Sequence, residues 1–209
     1  MRLRSFVLAA LAAAALGAAV VPAGAAQGDW QVRLRALGVM PDASGTVTVA
    51  GVPLAGSLSA TDSLVPEIDF TYFFADHWAA ELIAATTQHS VHQTTAGDIG
   101  SVWLLPPTLT VQYHFNPEGT FRPYVGAGVN YTFFYSPRSP LPGISYGDSF
   151  GWALQAGVDV PIGANGYFLN ADVKKLFLST DVSALGGLVR AKGVDLNPWI
   201  IGLGVGYRF

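Results

Sequence analysis

Few side chains in this chain could attack a substrate, move a proton or hold a metal, and their spacing argues against most such chemistry. His89-Ser90 is the nearest pairing of a base with a nucleophile. Neighbouring residues on a strand project to opposite faces, so the two would not meet, and no hydrolase or acyltransferase arrangement is assigned. His89 and His92 have a spacing found in metal sites, but no cysteine or clear carboxylate accompanies them. They read as solvated loop histidines, His92 in a mobile loop. Gly126-Ala127-Gly128 and the stretch from Gly202 to Gly206 lack the strand-to-helix setting of a nucleotide loop, and glycine there suits close packing in a narrow barrel. The expectation is a non-enzyme with no metal and no cofactor.

The elements that carry the remaining charges have a period of two. Ile68, Phe70, Tyr72 and Phe74 alternate with Glu67, Asp69 and Thr71, and Leu109, Val111, Tyr113 and Phe115 alternate with Thr110, Gln112 and His114. Trp152 to Val160 and Leu169 to Val173 repeat the pattern around Gln155, Asp159, Asn170, Asp172 and Lys174. A soluble sandwich would alternate in the same way, so composition and connections must choose. The chain has 209 residues, 51% apolar and only 12% charged, without cysteine. That is too charge-poor for an ordinary soluble domain and too apolar for disorder.

The long apolar run, Phe6 to Val21, follows Arg2 and Arg4 and precedes Ala23-Gly24-Ala25. It reads as a secretory signal peptide over residues 1–25, cut near 25/26, and it is too short for the usual signal anchor. Removing Arg2 and Arg4 from the 11 basic residues leaves nine against 14 acids, a net charge of −5, which excludes nucleic acid as the expected partner. Residues 26–209 read as one domain. With no disulfide available, its stability must come from packing and a closed hydrogen-bond network.

Eight strands fit, at about 30–40, 64–74, 78–88, 107–115, 121–135, 149–161, 167–178 and 198–209. Ala75 to His77, Asn116 to Thr120 and Ile162 to Gly166 are short turns, whereas the other four connections are long loops. Short turns on one side and long loops on the other match a bacterial outer-membrane barrel with both termini at the periplasmic side. Trp30, Trp78, Trp103, Trp152 and Trp199 fall near strand ends, where indole rings suit the headgroup zone. The fold class is therefore all-β, an eight-stranded antiparallel transmembrane β-barrel with outer-membrane lipid as its solvent.

Three stretches stand out together: Leu105-Pro106-Pro107-Thr108, the run from Phe121-Arg122-Pro123-Tyr124 to Asn130-Tyr131-Thr132, and the ending Gly206-Tyr207-Arg208-Phe209. With Glu81 to Thr86, Gly97-Asp98-Ile99 and Asn197-Pro198-Trp199 they resemble the outer-membrane protein W (OmpW) family over nearly the whole mature chain. The resemblance implies an eight-stranded barrel that lets small hydrophobic compounds cross or enter the outer membrane, akin to alkane-uptake proteins. The last strand, apolar at alternate positions through Tyr207 and Phe209, also resembles the signal read by the barrel assembly machinery.

If the apolar parity faces lipid, the other parity lines the lumen. Toward the periplasm and the middle it carries Arg33, Arg35, Arg122, Lys174 and Arg208 with Glu67, Asp69, Glu81, Asp159 and Asp172, a charge-balanced set expected to form a polar plug. An eight-stranded interior is just wide enough for side chains or one small ligand. Toward the outside the same parity carries Leu37, Val39, Val65, Ile83, Phe134, Leu176 and Ile200, read as an apolar vestibule or as residues that pack against inward loops. Pro41, Pro66, Pro106, Pro107 and Pro198 remove ladder donors at extracellular strand ends, so they either open a sideways exit or simply end strands. Lys174 sits near the level of Ile83, where Asp172 or Glu81 is within its expected reach. The function expected is entry of small hydrophobic solutes through the vestibule with lateral exit. The alternative is an interaction barrel with a closed lumen whose long loops bind a partner.

Overall fold

A computed structural model describes residues 27–163 and 165–209. The predicted signal peptide and its cleavage point lie outside the described residues. The first half of the chain forms β1 (Trp30–Met40), β2 (Val47–Val49), β3 (Val52–Pro53), β4 (Leu58–Ala60), β5 (Ser63–Ala75), β6 (Trp78–Ala85), β7 (Thr87–Gln93) and β8 (Gly97–Leu105). The second forms β9 (Thr108–His114), β10 (Arg122–Arg138), β11 (Ser145–Tyr146), β12 (Ser149–Pro161), β13 (Tyr167–Phe177), β14 (Ser179–Ala184), β15 (Val189–Asp195) and β16 (Trp199–Arg208).

Eight of these strands close on themselves in the order β12-β13-β16-β1-β5-β6-β9-β10, with β10 pairing back onto β12, every pair antiparallel. Closure leaves the barrel without a free edge strand, so its backbone donors and acceptors pair laterally where lipid offers no partner. The seam between first and last strands runs from Gln31↔Arg208 to Met40↔Trp199. It is finished by Trp30 N–H to the Phe209 carbonyl at 2.9 Å and Phe209 N–H to the Trp30 carbonyl at 3.0 Å.

Alternation in sequence becomes alternation in space. Along β5, Glu67, Asp69, Thr71 and Phe73 are buried while Ile68, Phe70, Tyr72 and Phe74 are exposed on the outside. An apolar outer surface of this kind, continued by Leu34, Leu109, Val125, Leu154, Leu169 and Leu203, belongs against hydrocarbon. Inward glycines keep the barrel narrow. A Cβ at Gly204 would lie 2.1 Å from the Leu34 carbonyl oxygen, and one at Gly206 would run into the Phe168 ring.

Two expectations are corrected outside the barrel. The long connections are themselves mostly strand: β10 continues beyond the predicted 135 to Arg138 and pairs with β8, which pairs with β7 and then β4. A second sheet runs β11-β14-β15-β2-β3. The predicted strand 78–88 is two strands interrupted at Thr86. His89 and His92 are therefore on β7 rather than in a mobile loop, and His89 is buried. Segments such as Thr87-Gln88-His89-Ser90 are polar on both parities, so nothing in their hydropathy announces a strand. They pair because their neighbours do.

Candidate functional site: an apolar cavity above a charged plug

Antiparallel register places opposite charges side by side at the centre of the barrel. Arg33 stands opposite Asp69, and Arg35 opposite Glu67, on β1 and β5. The Arg33 guanidinium donates to Asp69 Oδ1 at 2.9 Å, Thr71 Oγ1 at 2.7 Å and Glu81 Oε1 at 3.2 Å, and its other nitrogen to Gln31 Oε1 at 2.8 Å and Asp159 Oδ2 at 3.1 Å. Arg35 pairs with Glu67, with Asp69 Oδ2 at 2.9 Å and with Glu81 Oε1 at 3.1 Å. Lys174 donates to Asp172 Oδ1 at 2.6 Å and lies 3.9 Å from Glu67 Oε2. Of the two partners the sequence suggests for this lysine, Asp172 is the one it bonds.

Neutral groups complete the network. Gln155 Nε2 donates to Asp172 Oδ2 at 2.7 Å, Asn170 Nδ2 to Asp159 Oδ1 at 2.7 Å, and the Thr110 hydroxyl to Glu81 Oε2 at 3.3 Å. The Arg33 guanidinium also sits over the Tyr124 and Phe168 rings, 5.4 and 5.6 Å from their centres. Nearer the periplasmic end, Arg122 Nε donates to the Gly119 carbonyl at 2.8 Å, and the Arg208 guanidinium lies 5.5 Å from the Phe73 ring centre. All ten predicted charges are buried inside the barrel. Burying so many is tolerable only because each finds partners. Tyr124, Phe73 and Phe168 go unnoticed in the sequence because an inward aromatic beside outward aromatics breaks no composition rule.

Above Glu67 and Lys174 the lumen changes character. A cavity of about 300 Å³ is lined almost wholly by carbon, and Leu37, Val39, Val65, Ile83, Phe134, Leu176 and Ile200 all contribute to it. Leu37, Val39, Leu176 and Ile200 pack into one buried cluster with Ala153 and Leu178. The upper wall comes from the extracellular sheets, where Val47, Leu58, Ala191 and Val194 form a second cluster. Those residues are missed in the sequence, although the alternation Val47-Thr48-Val49 is a short strand signal.

His89 is part of the wall. The Thr61 carbonyl accepts from its Nδ1 at 2.6 Å, which leaves Nε2 to accept from the Thr87 hydroxyl at 3.1 Å. Burial lowers its pKa, against the opposing pull of the Thr61 carbonyl and the Asp62 charge. His92 instead faces outward and meets Asp98 Oδ1 at 2.9 Å. The two histidines have different partners on different sides.

The wall has a break beside the cavity. The β6–β9 ladder ends at Ile83↔Thr108, and the β7–β8 ladder resumes in the same register at Thr87↔Leu104. Between them Ala84, Ala85 and Thr86 face Leu105, Pro106 and Pro107, two of which have no N–H to give. On the other side the prolines are tied down: Tyr131 N–H donates to the Pro107 carbonyl at 3.1 Å, and Asn130 Nδ2 reaches both proline carbonyls at 3.2 Å. Ala85 and Pro106 both line the cavity.

The OmpW family model matches residues 26–209. An uncharacterized outer-membrane protein, y4mB of Sinorhizobium fredii, is 45% identical over 188 residues, 86% of this chain and 80% of its own. The dibenzothiophene metabolism operon protein PahQ of Pseudomonas aeruginosa is 33% identical over 196 residues, 90% of this chain and 92% of its own. Among solved structures, the outer membrane protein OprG of Pseudomonas aeruginosa superposes with a TM-score of 0.80 at 29% identity, covering 89% of this chain and 98% of that one.

Proposed function

From a chain that belongs to the OmpW family and is an eight-stranded barrel of the bacterial outer membrane, we propose a route by which small hydrophobic molecules enter through the apolar extracellular cavity and leave sideways into the bilayer. The observation that carries this reading is the stacking of an apolar cavity directly on a salt-bridged floor. An apolar solute gains by moving from water into the cavity, whereas the floor offers it only ion pairs that it would have to separate. Passage straight down is therefore the costly direction.

The sideways direction costs less at one place. Opening the wall between Ala85 and Pro106 breaks few backbone hydrogen bonds, because the ladder is already interrupted there, and Ala85 offers only a methyl group to block it. Ile83, one turn of alternation below, sits at the junction of cavity and gap. The relative from a dibenzothiophene metabolism operon supports the solute class, since dibenzothiophene is a fused apolar ring system.

The test is the initial uptake rate of a labelled small hydrophobic compound by cells carrying the intact chain, Ile83→Asp, or no chain, at matched barrel levels. Uptake above the no-chain rate that is lost in Ile83→Asp is the expected result. Identical rates in all three overturn this reading for that solute and favour a closed barrel whose extracellular sheets bind a partner. Assembly belongs to the same proposal: Tyr207, against Tyr167 at 4.9 Å, and Phe209 form an outward aromatic face at the end of the last strand, offered to the assembly machinery. Deleting Phe209 is expected to lower the yield of folded, membrane-inserted barrel in a fractionation assay, and an unchanged yield removes that role.

A further inference from the structure

Polar side chains on the cavity wall are engaged with one exception. Thr87 bonds His89, Gln93 Nε2 donates to the Ala55 carbonyl, Thr132 donates to Asn130 Oδ1, Thr180 to the Gly147 carbonyl, and Ser183 meets Ser145. Glu67, Lys174 and Thr108 are likewise paired. The exception among the described residues is Tyr146, whose hydroxyl oxygen is buried without a hydrogen-bond partner. A buried orphan hydroxyl is costly unless something supplies the missing bond.

The position of this ring is set by strand pairing. Tyr146 lies opposite Val182 on β14, with Ser145 beside it opposite Ser183. Its ring stacks on Phe134 of β10, centroids 5.7 Å apart and planes 12° from parallel. Both residues line the cavity. Burial also raises the phenol's pKa, so it keeps its proton at physiological pH and is a donor there.

We propose that Tyr146 and Phe134 form a binding subsite for a neutral, ring-containing apolar solute that carries one hydrogen-bond-accepting oxygen, such as an aryl ketone or aldehyde. The solute's oxygen accepts from the Tyr146 hydroxyl and its ring packs beside the Phe134–Tyr146 stack. A charged solute is excluded because the other polar groups of the wall are engaged with one another or with the backbone and the floor charges are already paired. A pure hydrocarbon fits the cavity but leaves the hydroxyl unsatisfied. This inference rests on the cavity being a solute site, and it narrows the class of solute.

The experiment compares acetophenone with α-methylstyrene, which has the same skeleton with CH₂ in place of the carbonyl oxygen. Each is titrated by NMR into the full barrel in lipid nanodiscs, with empty nanodiscs subtracted, for the native chain, Tyr146→Phe and Phe134→Leu. Tyr146→Phe should weaken acetophenone about fivefold, the worth of one neutral hydrogen bond, and change α-methylstyrene less than about twofold. Phe134→Leu should weaken both. Equal changes for the two probes in Tyr146→Phe, or none for acetophenone, overturn the subsite while leaving the cavity reading intact. Failure of both probes to bind the native chain overturns the cavity reading and the subsite with it.

Discussion

The two halves of the lumen are built by the same strands and the same inward parity, yet they solve opposite problems. Arg33 and Arg35 on β1 are followed by Leu37 and Val39, two and four residues after Arg35. Within that span the interior passes from a lattice of ion pairs to a wall of methyl groups. In the lower half the side chains fill the space and bind one another. In the upper half they stop short and leave about 300 Å³. The contrast teaches that an eight-stranded barrel need not be uniformly blocked: where side chains are long and charged it is a plug, and where they are short and apolar, with extracellular sheets extending the wall, it is a pocket.

The contrast breaks first under loss of a floor charge. Replacing Arg35 with Met leaves Glu67, Asp69 and Glu81 close together with one cation fewer, and removing one partner of a buried pair typically costs about 3–5 kcal/mol. The variant should unfold at clearly lower urea concentration, read by loss of the folded band on unheated gels. Leu37→Ala, one inward position higher, should cost about 2 kcal/mol, the low end for a buried leucine, because its cluster borders the cavity and is not packed on every side. If Leu37→Ala is as damaging as Arg35→Met, the upper half is a packed core and not a cavity.

The smallest expected effect sharpens the comparison at the cavity's outer wall. His89 holds the Thr61 carbonyl across from β7, and burial keeps its folded pKa below the ordinary value of 6.5. An unfolded or released His89 takes up a proton more readily than the buried one, so acid favours release. The contribution of this contact is fully present above about pH 6.5 and falls as pH drops below it through the lowered folded value. Amide exchange around residues 58–63 should quicken as pH is lowered through that window, after correction for the intrinsic rate, and His89→Gln should remove the dependence. An unchanged corrected rate would show that the contact holds in both protonation states.

Legibility differed between the two halves for physical reasons. The barrel strands were readable because water is absent on one side and crowded side chains lie on the other, so Ile68-Asp69-Phe70-Thr71 must alternate. The inward charges were readable by the same parity, and the register then sets Arg33 against Asp69. The extracellular strands β7, β8, β14 and β15 were not, because water on their outer face relaxes the demand for alternation, and Thr87 to Ser90 carries no apolar rhythm. Pro106-Pro107 was visible as a lost pair of donors, but whether the loss fell on the β6 or the β10 side depended on which neighbour Tyr131 and Asn130 had already tied.

Sequence alone determined the class of solvent, the number of barrel strands, the parity of every membrane strand and the list of charges that must share the lumen, since each of these follows from periodicity along one chain. Tertiary structure decided which charges touch, that Lys174 bonds Asp172, that the loops close into sheets around a cavity, and that Tyr146 alone among the described wall residues has no partner. These depend on distances between segments far apart in the chain, which local patterning does not encode.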